Sequence, residues 1–484
     1  MSRLPNYNPE EHVTRPEDLL VTRREMLQKT GMGMGMLGLA MMLGNQLTSA
    51  TAWANTAAAV PTVPGKPQIK SPLAPKAPHF KAKAKHVIHI WAPGGPSHVD
   101  TWDPKPALAK YADQALPGLN GLALPSPFEF KKMGQSGVEV SSLFPTLGKH
   151  IDDMAVVRSL WTDVPAHEPA SRFMHTGSLQ LPKPSLGSWT VYGLGTENQS
   201  LPGFISLGGG RADFRQAAFL PSLFQGVNVN YRPGMPLNQV LLNIFNQFGG
   251  SNDQRRQLDL ARKLNAMHSE KLHREEQLES RIESFEMAFR MQTEATEAFD
   301  ISKEPESIKA MYGATDGGAR CLVARRLVER GVRFVQVPIG GWDHHQNLEQ
   351  SLSKNCAMVD QAAGALIADL KRLNLLDETL IIWGGEFGRT VTRDRGGAAT
   401  AGRDHNSKAM CCWMAGGGVK GGQAYGATTE FGDRAETNPV GVHDLHATIL
   451  ALLGFDHTKL TYRYNGRDFR LTDNFGKVVK DLIA

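Results

Sequence analysis

The fold prediction depends most on one run, Gly331-Val-Arg-Phe-Val-Gln-Val-Pro338, which is followed by Trp342-Asp343-His344-His345. A short, mostly apolar run of this kind predicts a buried strand. A second such run, Thr379-Leu-Ile-Ile-Trp383, leads into Gly384-Gly385-Glu386-Phe387-Gly388-Arg389. Ligands of open α/β sheets bind at the carboxyl ends of the strands. We therefore expect both runs to deliver acidic and imidazole side chains to one edge of a sheet.

Strand and helix signals alternate along the rest of the chain. Further strands are predicted at His86–Trp91, which runs into Ala92-Pro93-Gly94-Gly95-Pro96-Ser97, and at Met154–Arg158. Apolar residues at helical spacing predict helices at Ala357–Leu373 and at His446–Leu453, the latter closed by Gly454. This alternation predicts an α/β fold, an α/β/α sandwich with a mostly parallel central sheet.

The amino terminus reads as an export signal covering residues 1–54. Thr22-Arg23-Arg24-Glu25-Met26-Leu27 resembles a twin-arginine motif, and residues 30–65 carry no charge. Their many glycines weaken a permanent membrane helix, and Ala52-Trp53-Ala54 offers small residues for cleavage. We expect export to the periplasm, the cell envelope or the outside, with contact to a membrane only through this segment. An uncleaved anchor is the alternative.

Composition divides the remaining chain into two parts, the second of which contains an insertion. Residues 55–85 are rich in Pro, Lys and Ala and predict an extended linker. Residues 86–484 form the predicted domain, within which the charged segment 253–299 is expected to be a helical insertion. A solvated helix with one core-facing stripe and a partner-binding arm are both open for this insertion.

The overall charge argues against nucleic acid as a partner. Among 484 residues, 41% are hydrophobic and 21% charged, the net charge is only +5, and no basic block is interleaved with aromatic residues. The four cysteines form no zinc-binding spacing. Burial as small apolar side chains is favoured over disulfides.

Carboxylates and imidazoles after the two strands predict a site for a divalent metal. Adjacent side chains of an extended segment point in opposite directions, so Asp343 pairs better with His345 than with His344. Glu386, in a glycine-rich turn, is a further candidate, because a carboxylate at the end of a buried strand needs a cation. A salt bridge to Arg389 is the alternative. His405, in Gly402-Arg-Asp-His-Asn406 on a predicted glycine-rich loop, adds another imidazole.

Other polar residues have weaker claims to a site. Asp100 follows the first strand and also reaches the carboxyl edge, whereas Asp103 is expected to start a turn. His167 stands before a predicted helix, whose amino terminus attracts anions. Three more residues are expected to have structural roles beside any contribution to the site: His175 and His446 in packing, and Asp444 as a first-turn acid next to His443.

Several motifs together resemble an exported bacterial family known as domain of unknown function 1501, a branch of the alkaline phosphatase and sulfatase superfamily. The resemblance covers residues 85–484. Its motifs are Gly94-Gly-Pro-Ser97, Asp100-Thr-Trp-Asp-Pro-Lys105, Gly385-Glu-Phe-Gly-Arg-Thr390, Gly402-Arg-Asp-His405, Ala415-Gly-Gly-Gly-Val-Lys-Gly-Gly422 and Asp444-Leu-His-Ala-Thr-Ile-Leu450.

The resemblance implies a two-metal site in which Asp and His ligands flank a nucleophile at a helix amino terminus. The segment ending in Glu386-Phe387 resembles the strand that ends in Asp-His in those enzymes, so Phe387 replaces an imidazole. Asp343 and His345 resemble another acid–imidazole contribution, and His405 resembles the late histidine ligand.

The chain also departs from that pattern. Aligning Pro169 and Thr176-Gly177 with the sulfatase signature puts His167 in place of the nucleophile and Ser171 in place of its arginine. Pro93 stands where the relatives hold a metal-binding aspartate. The resemblance therefore excludes an orthodox sulfatase and leaves one or two metal ions open.

We thus expect an enzyme, an exported metal-dependent hydrolase of phosphate or sulfate esters. Its Zn²⁺ or Mn²⁺ would be held by Asp343, His345, Glu386, His405 and Asp100. His167 would act as nucleophile or base, and Arg389 or Arg403 would balance negative charge. Anionic extracellular polymers, polysaccharides among them, fit as substrates. The alternatives are a non-catalytic metal- or anion-binding envelope protein and an interaction protein acting through residues 253–299.

Overall fold

The computed structural model describes residues 71–180, 182–209, 211–240, 251–271, 276–394, 397 and 400–484. The predicted export signal and residues 55–70 of the predicted linker lie outside the described residues. No helix among the described residues combines the length and the apolar character that crossing a membrane requires.

The described residues form helices and strands that alternate through most of the chain. The α-helices are α1 His98–Thr101, α2 His167–Thr176, α3 Leu186–Leu194, α4 Leu237–Val240, α5 Ser251–Lys271, α6 Glu276–Phe299, α7 Glu306–Tyr312, α8 Asp316–Glu329, α9 Leu348–Arg372 and α10 Val442–Leu452. The strands are β1 His86–Trp91, β2 Phe130–Met133, β3 Val138–Ser141, β4 Met154–Trp161, β5 Phe204–Leu207, β6 Val227–Val229, β7 Phe334–Pro338, β8 Thr379–Gly384, β9 Gly388–Arg393, β10 Arg403–Asn406, β11 Met410–Ala415, β12 Gln423–Tyr425, β13 Ala427–Thr428, β14 Ala435–Thr437, β15 Val440–Gly441, β16 Tyr462–Tyr464 and β17 Arg467–Phe469.

A nine-stranded sheet forms the centre of the described domain. Its order is β12-β4-β11-β8-β1-β7-β5-β6, and β15 also pairs with β4, at Leu160 and Trp161. Every pairing is parallel except those of β11, which is antiparallel to both β4 and β8. The predicted α/β fold with a mostly parallel central sheet is therefore confirmed.

The central strands consist mostly of apolar residues, so their side chains can be buried on both faces of the sheet. All residues of β1, β8 and β11 are buried, as a parallel sheet covered on both faces requires. In the register of these strands, Trp91 lies opposite both Pro338 of β7 and Gly384 of β8. The segments that follow β1, β7 and β8 consequently emerge at the same edge.

The long helix α9 begins nine residues earlier than predicted, at Leu348 rather than Ala357. Leu348, Leu352 and Cys356 are buried and continue the helical spacing, although polar residues separate them. Helix α10 begins at Val442, four residues before the predicted start at His446. Its first turn is capped by the Asp444 carboxylate, which accepts from Gly441 N at 3.0 Å.

The carboxyl-terminal part of the predicted linker, residues 71–85, lies on the domain. Leu73 is buried, Lys76 N donates to Leu194 O at 2.8 Å, and Phe80 N donates to Gly454 O at 3.1 Å. The predicted insertion consists of two helices, α5 and α6. The last turns of α6 join the core through Ala295, Ala298 and Phe299. All four cysteines are buried and unpaired.

Candidate functional site

The candidate site lies where chain segments leave the carboxyl edge of the central sheet. Asp343 and His345 follow β7, and Glu386 follows β8. His167 is the first residue of α2, which comes after β4. Because β11 is antiparallel to both β4 and β8, those two strands run in the same direction. His405 lies on β10, which pairs with β9 just beyond β8.

Three imidazoles surround one carboxylate oxygen. Asp343 Oδ1 lies 2.9 Å from His345 Nε2, 3.2 Å from His405 Nε2 and 3.3 Å from His167 Nε2. His345 Nε2 and His405 Nε2 are 3.0 Å apart. Ligands bound tetrahedrally at about 2.1 Å stand roughly 3.4 Å from one another. These four separations are close to that value, as expected for ligands of a shared ion.

The second nitrogen of each ring already has an oxygen partner. His167 Nδ1 lies 2.8 Å from Glu386 Oε1, His345 Nδ1 lies 2.6 Å from Asp394 Oδ2, and His405 Nδ1 lies 2.8 Å from the Pro165 carbonyl. These oxygens accept hydrogen bonds, so each Nδ1 carries the hydrogen. In the neutral imidazole, Nε2 then presents a lone pair.

The three Nε2 lone pairs thus face an anionic oxygen whose charged partner is Arg389 Nη2, at 2.5 Å, and a divalent ion among them would relieve the remaining repulsion. Consistent with this, His167 Nε2 is buried and makes no hydrogen bond, although Asp343 Oδ1 is close. Within the described chain, two residue sets bring possible ligand atoms within 4.8 Å of one another: His167, Asp343 and His405, and His345, Asp404 and His405. Imidazole with carboxylate suits Zn²⁺ and related transition metals. The donor set fits such an ion.

Two glycines allow the segments to approach closely. Gly94 has φ of +111°, and a Cβ there would lie 2.6 Å from Asp343 N. A Cβ on Gly402 would lie 2.0 Å from the His345 carbonyl carbon. Phe387 fills the space beneath the rings, with its centroid 4.9 Å from that of His167 and 4.5 Å from that of His405. The site therefore depends on backbone contacts as well as on its ligands.

Neighbouring groups shift the pKa values of His167 and Asp343 in opposite directions. The hydrogen bond to Glu386 raises the pKa of His167 despite the opposing effect of burial. Burial alone would raise the pKa of Asp343, but the hydrogen bond and charge of Arg389 hold it well below its usual range. Asp343 is therefore an anion at neutral pH, with its side chain 45% exposed to solvent.

Arg389 is not positioned as a catalytic group. Its side chain is buried, Nε donates to Gly95 O at 2.9 Å, Nη1 donates to Arg403 O at 3.0 Å, and Nη2 donates to Asp343 Oδ1 at 2.5 Å. Nη2 also donates to the Gly94 carbonyl. This corrects the predicted role: the guanidinium joins backbone segments and orients Asp343, and its charge does not face a substrate.

Asp100 lies outside the cluster. It is buried in a two-point ion pair with Arg403, with Oδ2 2.7 Å from Nε and Oδ1 2.9 Å from Nη2, and Ser97 Oγ donates to Oδ2 at 2.5 Å. This corrects the prediction of a fifth ligand, because the carboxylate is already satisfied. The same pair occupies Arg403, which is likewise unavailable to balance charge on a substrate.

Glu386 contacts His167 on the side of the ring that faces away from Asp343. Its side chain is buried, and Oε1 accepts from Gly94 N at 2.9 Å while facing His167 Nδ1. This corrects its predicted role as a ligand and also the alternative of a salt bridge, since Arg389 pairs with Asp343 instead. His167, expected as nucleophile or base, turns Nε2 toward Asp343 and belongs to the ligand set.

The other histidines lie away from the cluster. His344 points to the side opposite His345, where its Nε2 lies 3.2 Å from Asn355 Nδ2. His175 is buried and stacked on Phe214. His446 Nε2 and His443 Nε2 contact the carbonyls of Met174 and Gly177, respectively.

Sequence reasoning missed Asp394 and the Pro165 carbonyl, which hold His345 and His405. Asp394 lies in Arg393-Asp394-Arg395, a charged run that has the pattern of an exposed loop. The contact arises only because Asp394 N donates to Gly402 O at 2.9 Å. A carbonyl partner such as Pro165 leaves no signal in residue types.

Comparisons with known proteins give one family and several distant structures. The family model described as "Protein of unknown function (DUF1501)" matches residues 84–483. No curated protein matches the chain. Similar solved structures include the lipoteichoic acid synthase LtaP from Listeria monocytogenes, at 8% identity, covering 83% of this chain and 78% of that chain with a TM-score of 0.35.

Two further structures are similar at the same level. A phosphonate monoester hydrolase from Silicibacter pomeroyi is 10% identical, with 77% and 73% of the two chains covered and a TM-score of 0.34. A protein in the alkaline phosphatase superfamily from Vibrio parahaemolyticus is 12% identical, with 78% and 68% covered and a TM-score of 0.31.

Proposed function

Because this chain belongs to the DUF1501 family and its described fold gathers three imidazoles around one carboxylate, we propose that it is a metal-dependent hydrolase of phosphate or sulfate esters. The proposed ligands are His167, Asp343, His345 and His405. The metal is Zn²⁺ or Mn²⁺. In this proposal the protein is exported through the twin-arginine pathway and acts on an anionic ester in the periplasm, the cell envelope or outside the cell.

One observation carries the proposal. Each of the three rings has its Nδ1 hydrogen-bonded to an oxygen and its Nε2 within 3.3 Å of Asp343 Oδ1. Arg389 Nη2 offsets part of the charge of that oxygen, and a divalent cation among the rings would remove the repulsion that remains between their lone pairs and the anion. When bound, a divalent ion supplies Lewis acidity toward an ester oxygen and toward water.

The surrounding residues determine which chemistry is available. Asp343 is 45% exposed and Asp404 is 59% exposed, so the cluster is open to a substrate from solvent. At the start of α2 the described chain carries His167 where a side-chain nucleophile is expected, and this imidazole faces Asp343. The proposal therefore assigns the attack on phosphorus or sulfur to water. Asp343 and the three rings hold the site, and Arg389 keeps Asp343 in its ionised form.

A non-catalytic metal-binding protein is the second candidate. Four protein side chains can complete a tetrahedral shell, and closed shells of this kind are typical of structural rather than catalytic zinc sites. The exposure of Asp343 favours the enzyme, because a purely structural ion is usually shielded by its ligands.

Elemental analysis of the purified, dialysed protein, followed by a screen of aryl phosphate, phosphonate and sulfate esters, tests the proposal. We expect bound metal, turnover of at least one ester, and loss of both in His405→Ala. His443→Ala is the matched control, because His443 is a partly buried histidine away from the cluster, whose Nε2 contacts the Gly177 carbonyl and whose ring packs on Phe173 and Phe475. Bound metal without turnover of any ester would support the second candidate, and absence of metal would overturn both.

A further inference from the structure

The two carboxylates behind the histidine rings, Glu386 and Asp394, are not among the ligands of the proposed function. We propose that they are positioning residues, which orient His167 and His345 and raise their affinity for the metal without binding it. This inference rests on the metal site of the proposed function. Carboxylates that accept from the second nitrogen of a metal-binding histidine fix the tautomer and the ring orientation and make the ligand more basic.

Glu386 is held in place by burial and by a second hydrogen bond, in addition to its contact with His167. Its side chain is 2% exposed, and Gly94 N donates to the same oxygen, Oε1, that faces His167 Nδ1. A Cβ on the preceding Gly385 would lie 2.6 Å from Ala92 O, so the turn after β8 is packed on the end of β1. The position of Glu386, and with it that of His167, is set by the central sheet.

Glu386 has a second oxygen behind the one that faces His167. Glu386 Oε2 is buried and has no hydrogen-bond partner among the described residues. Oε1 accepts from both Gly94 N and His167 Nδ1, an arrangement that suits a carboxylate. Its negative charge is directed through His167 toward the place where the three rings converge.

Asp394 performs the same task from the other side. Its Oδ2 lies 2.6 Å from His345 Nδ1, its side chain is 18% exposed, and its backbone N donates to Gly402 O. His405 differs, because its Nδ1 faces a neutral carbonyl. Two of the three rings are thus supported by a charge, and the carboxylates act on different rings.

Chelator competition with Zn²⁺, together with the visible spectrum of the Co²⁺-loaded protein, tests the assignment on the full chain. For Glu386→Gln and Asp394→Asn we expect Zn²⁺ affinity to fall by roughly 10–100-fold each. The substituted amides keep the size of the side chain and remove its charge. Asp360→Asn and Asp153→Asn are the matched controls. Asp360 is a buried carboxylate that accepts from Thr146 N and Leu147 N, and Asp153 is a partly exposed partner of Lys371.

A double-mutant cycle separates positioning from general damage to the fold. If Glu386 acts through His167, then Glu386→Gln has no further effect on Zn²⁺ affinity in a His167→Ala background, whereas Asp394→Asn retains its effect. We also expect the Co²⁺ spectrum of each single variant to differ from that of the wild type, because one ring changes its orientation.

The outcomes distinguish this inference from the proposed function. A wild-type protein that takes up neither Zn²⁺ nor Co²⁺ overturns both. A wild type that binds metal, with Glu386→Gln and Asp394→Asn variants that bind it equally well, overturns the positioning role alone. Equal losses in the two controls, or a full effect of Glu386→Gln without His167, also overturn it. If Glu386→Gln fails to fold, Asp394→Asn decides the question.

Discussion

At the scale of single residues, the structure separates side chains that face the cluster from those that support it. Asp343, His345, Glu386 and His167 meet at one edge because each follows a strand of the central sheet, and His405 joins them from the β9–β10 ribbon. The sequence does not distinguish a carboxylate that binds a cation from one that holds an imidazole, since both sit at the end of a buried strand. That distinction depends on which ring nitrogen faces which oxygen: His167 Nδ1 faces Glu386, and its Nε2 faces Asp343.

Asp100 provides a direct test of this separation. Both Asp100 and Arg403 are buried, and removing one partner of a buried ion pair leaves the other charge uncompensated. We expect Asp100→Asn to reduce the free energy of unfolding by about 3–5 kcal/mol, measured by urea denaturation. The amount of metal bound per folded molecule should remain that of the wild type.

The control for that experiment is Asp456→Asn. Asp456 forms an ion pair with Lys459, whose side chain is 73% exposed, so the loss should stay below about 1 kcal/mol. Loss of metal from Asp100→Asn with unchanged stability would contradict the ion-pair assignment and would restore Asp100 as a ligand.

At the scale of elements, a short antiparallel ribbon completes the site. Strands β9 and β10 place Arg389 directly opposite His405. Arg403 N donates to His344 O at 3.0 Å, so the ribbon also pairs with the segment after β7. The sequence predicted a glycine-rich loop at residues 402–406, because Arg-Asp-His-Asn has no strand pattern. Its strand conformation comes from tertiary pairing, which local residue types do not reveal.

The junction between the ribbon and the segment after β7 can be tested at Gly402. A Cβ there would lie 2.0 Å from the His345 carbonyl carbon and 2.2 Å from Gln346 N, and these backbone atoms have little freedom to move. We expect Gly402→Ala to cost roughly 1–3 kcal/mol of stability and to weaken Zn²⁺ binding, because His345 and His405 are forced apart. Urea denaturation and chelator competition measure the two effects.

Gly341→Ala is the matched control, since nothing lies within 4 Å of a Cβ at Gly341. It lies on the same segment, two residues before Asp343. If Gly402→Ala and Gly341→Ala behave alike in both measurements, the close approach of the ribbon is not what holds His405 beside His345.

At the scale of the whole molecule, the central sheet was the most predictable part. Strands β1, β7 and β8 are apolar on both faces, and their spacing along the chain leaves room for covering helices, so a parallel sheet follows from the pattern. The direction of β11 does not. Met410–Ala415 is as apolar as its neighbours, and only the pairing shows that it runs antiparallel, because Cys412 lies opposite Gly384 and Ala415 opposite the earlier residue Ile381.

Burial of histidines throughout the domain makes the stability of the molecule dependent on pH. Burial lowers the pKa of His175 and of His344 to about 4 and that of His446 to about 3, against 6.5 in an unfolded chain. These residues are neutral in the fold and take up protons on unfolding below pH 6.5. Their stabilising effect is therefore complete above pH 6.5 and is lost as the pH falls toward 4. His167 has a raised pKa, so its contribution is constant below 6.5 and lost only at higher pH.

We expect the free energy of unfolding, measured with urea in the presence of a chelator, to fall between pH 6.5 and 5 by up to about 4 kcal/mol per pH unit for the three residues together. Most carboxylates titrate below this window, so the slope reports the histidines. His446→Gln should reduce the slope by about one proton's share, because the amide can still donate to Met174 O but does not titrate. A stability that is flat or that rises on acidification would contradict the buried, neutral state of these rings.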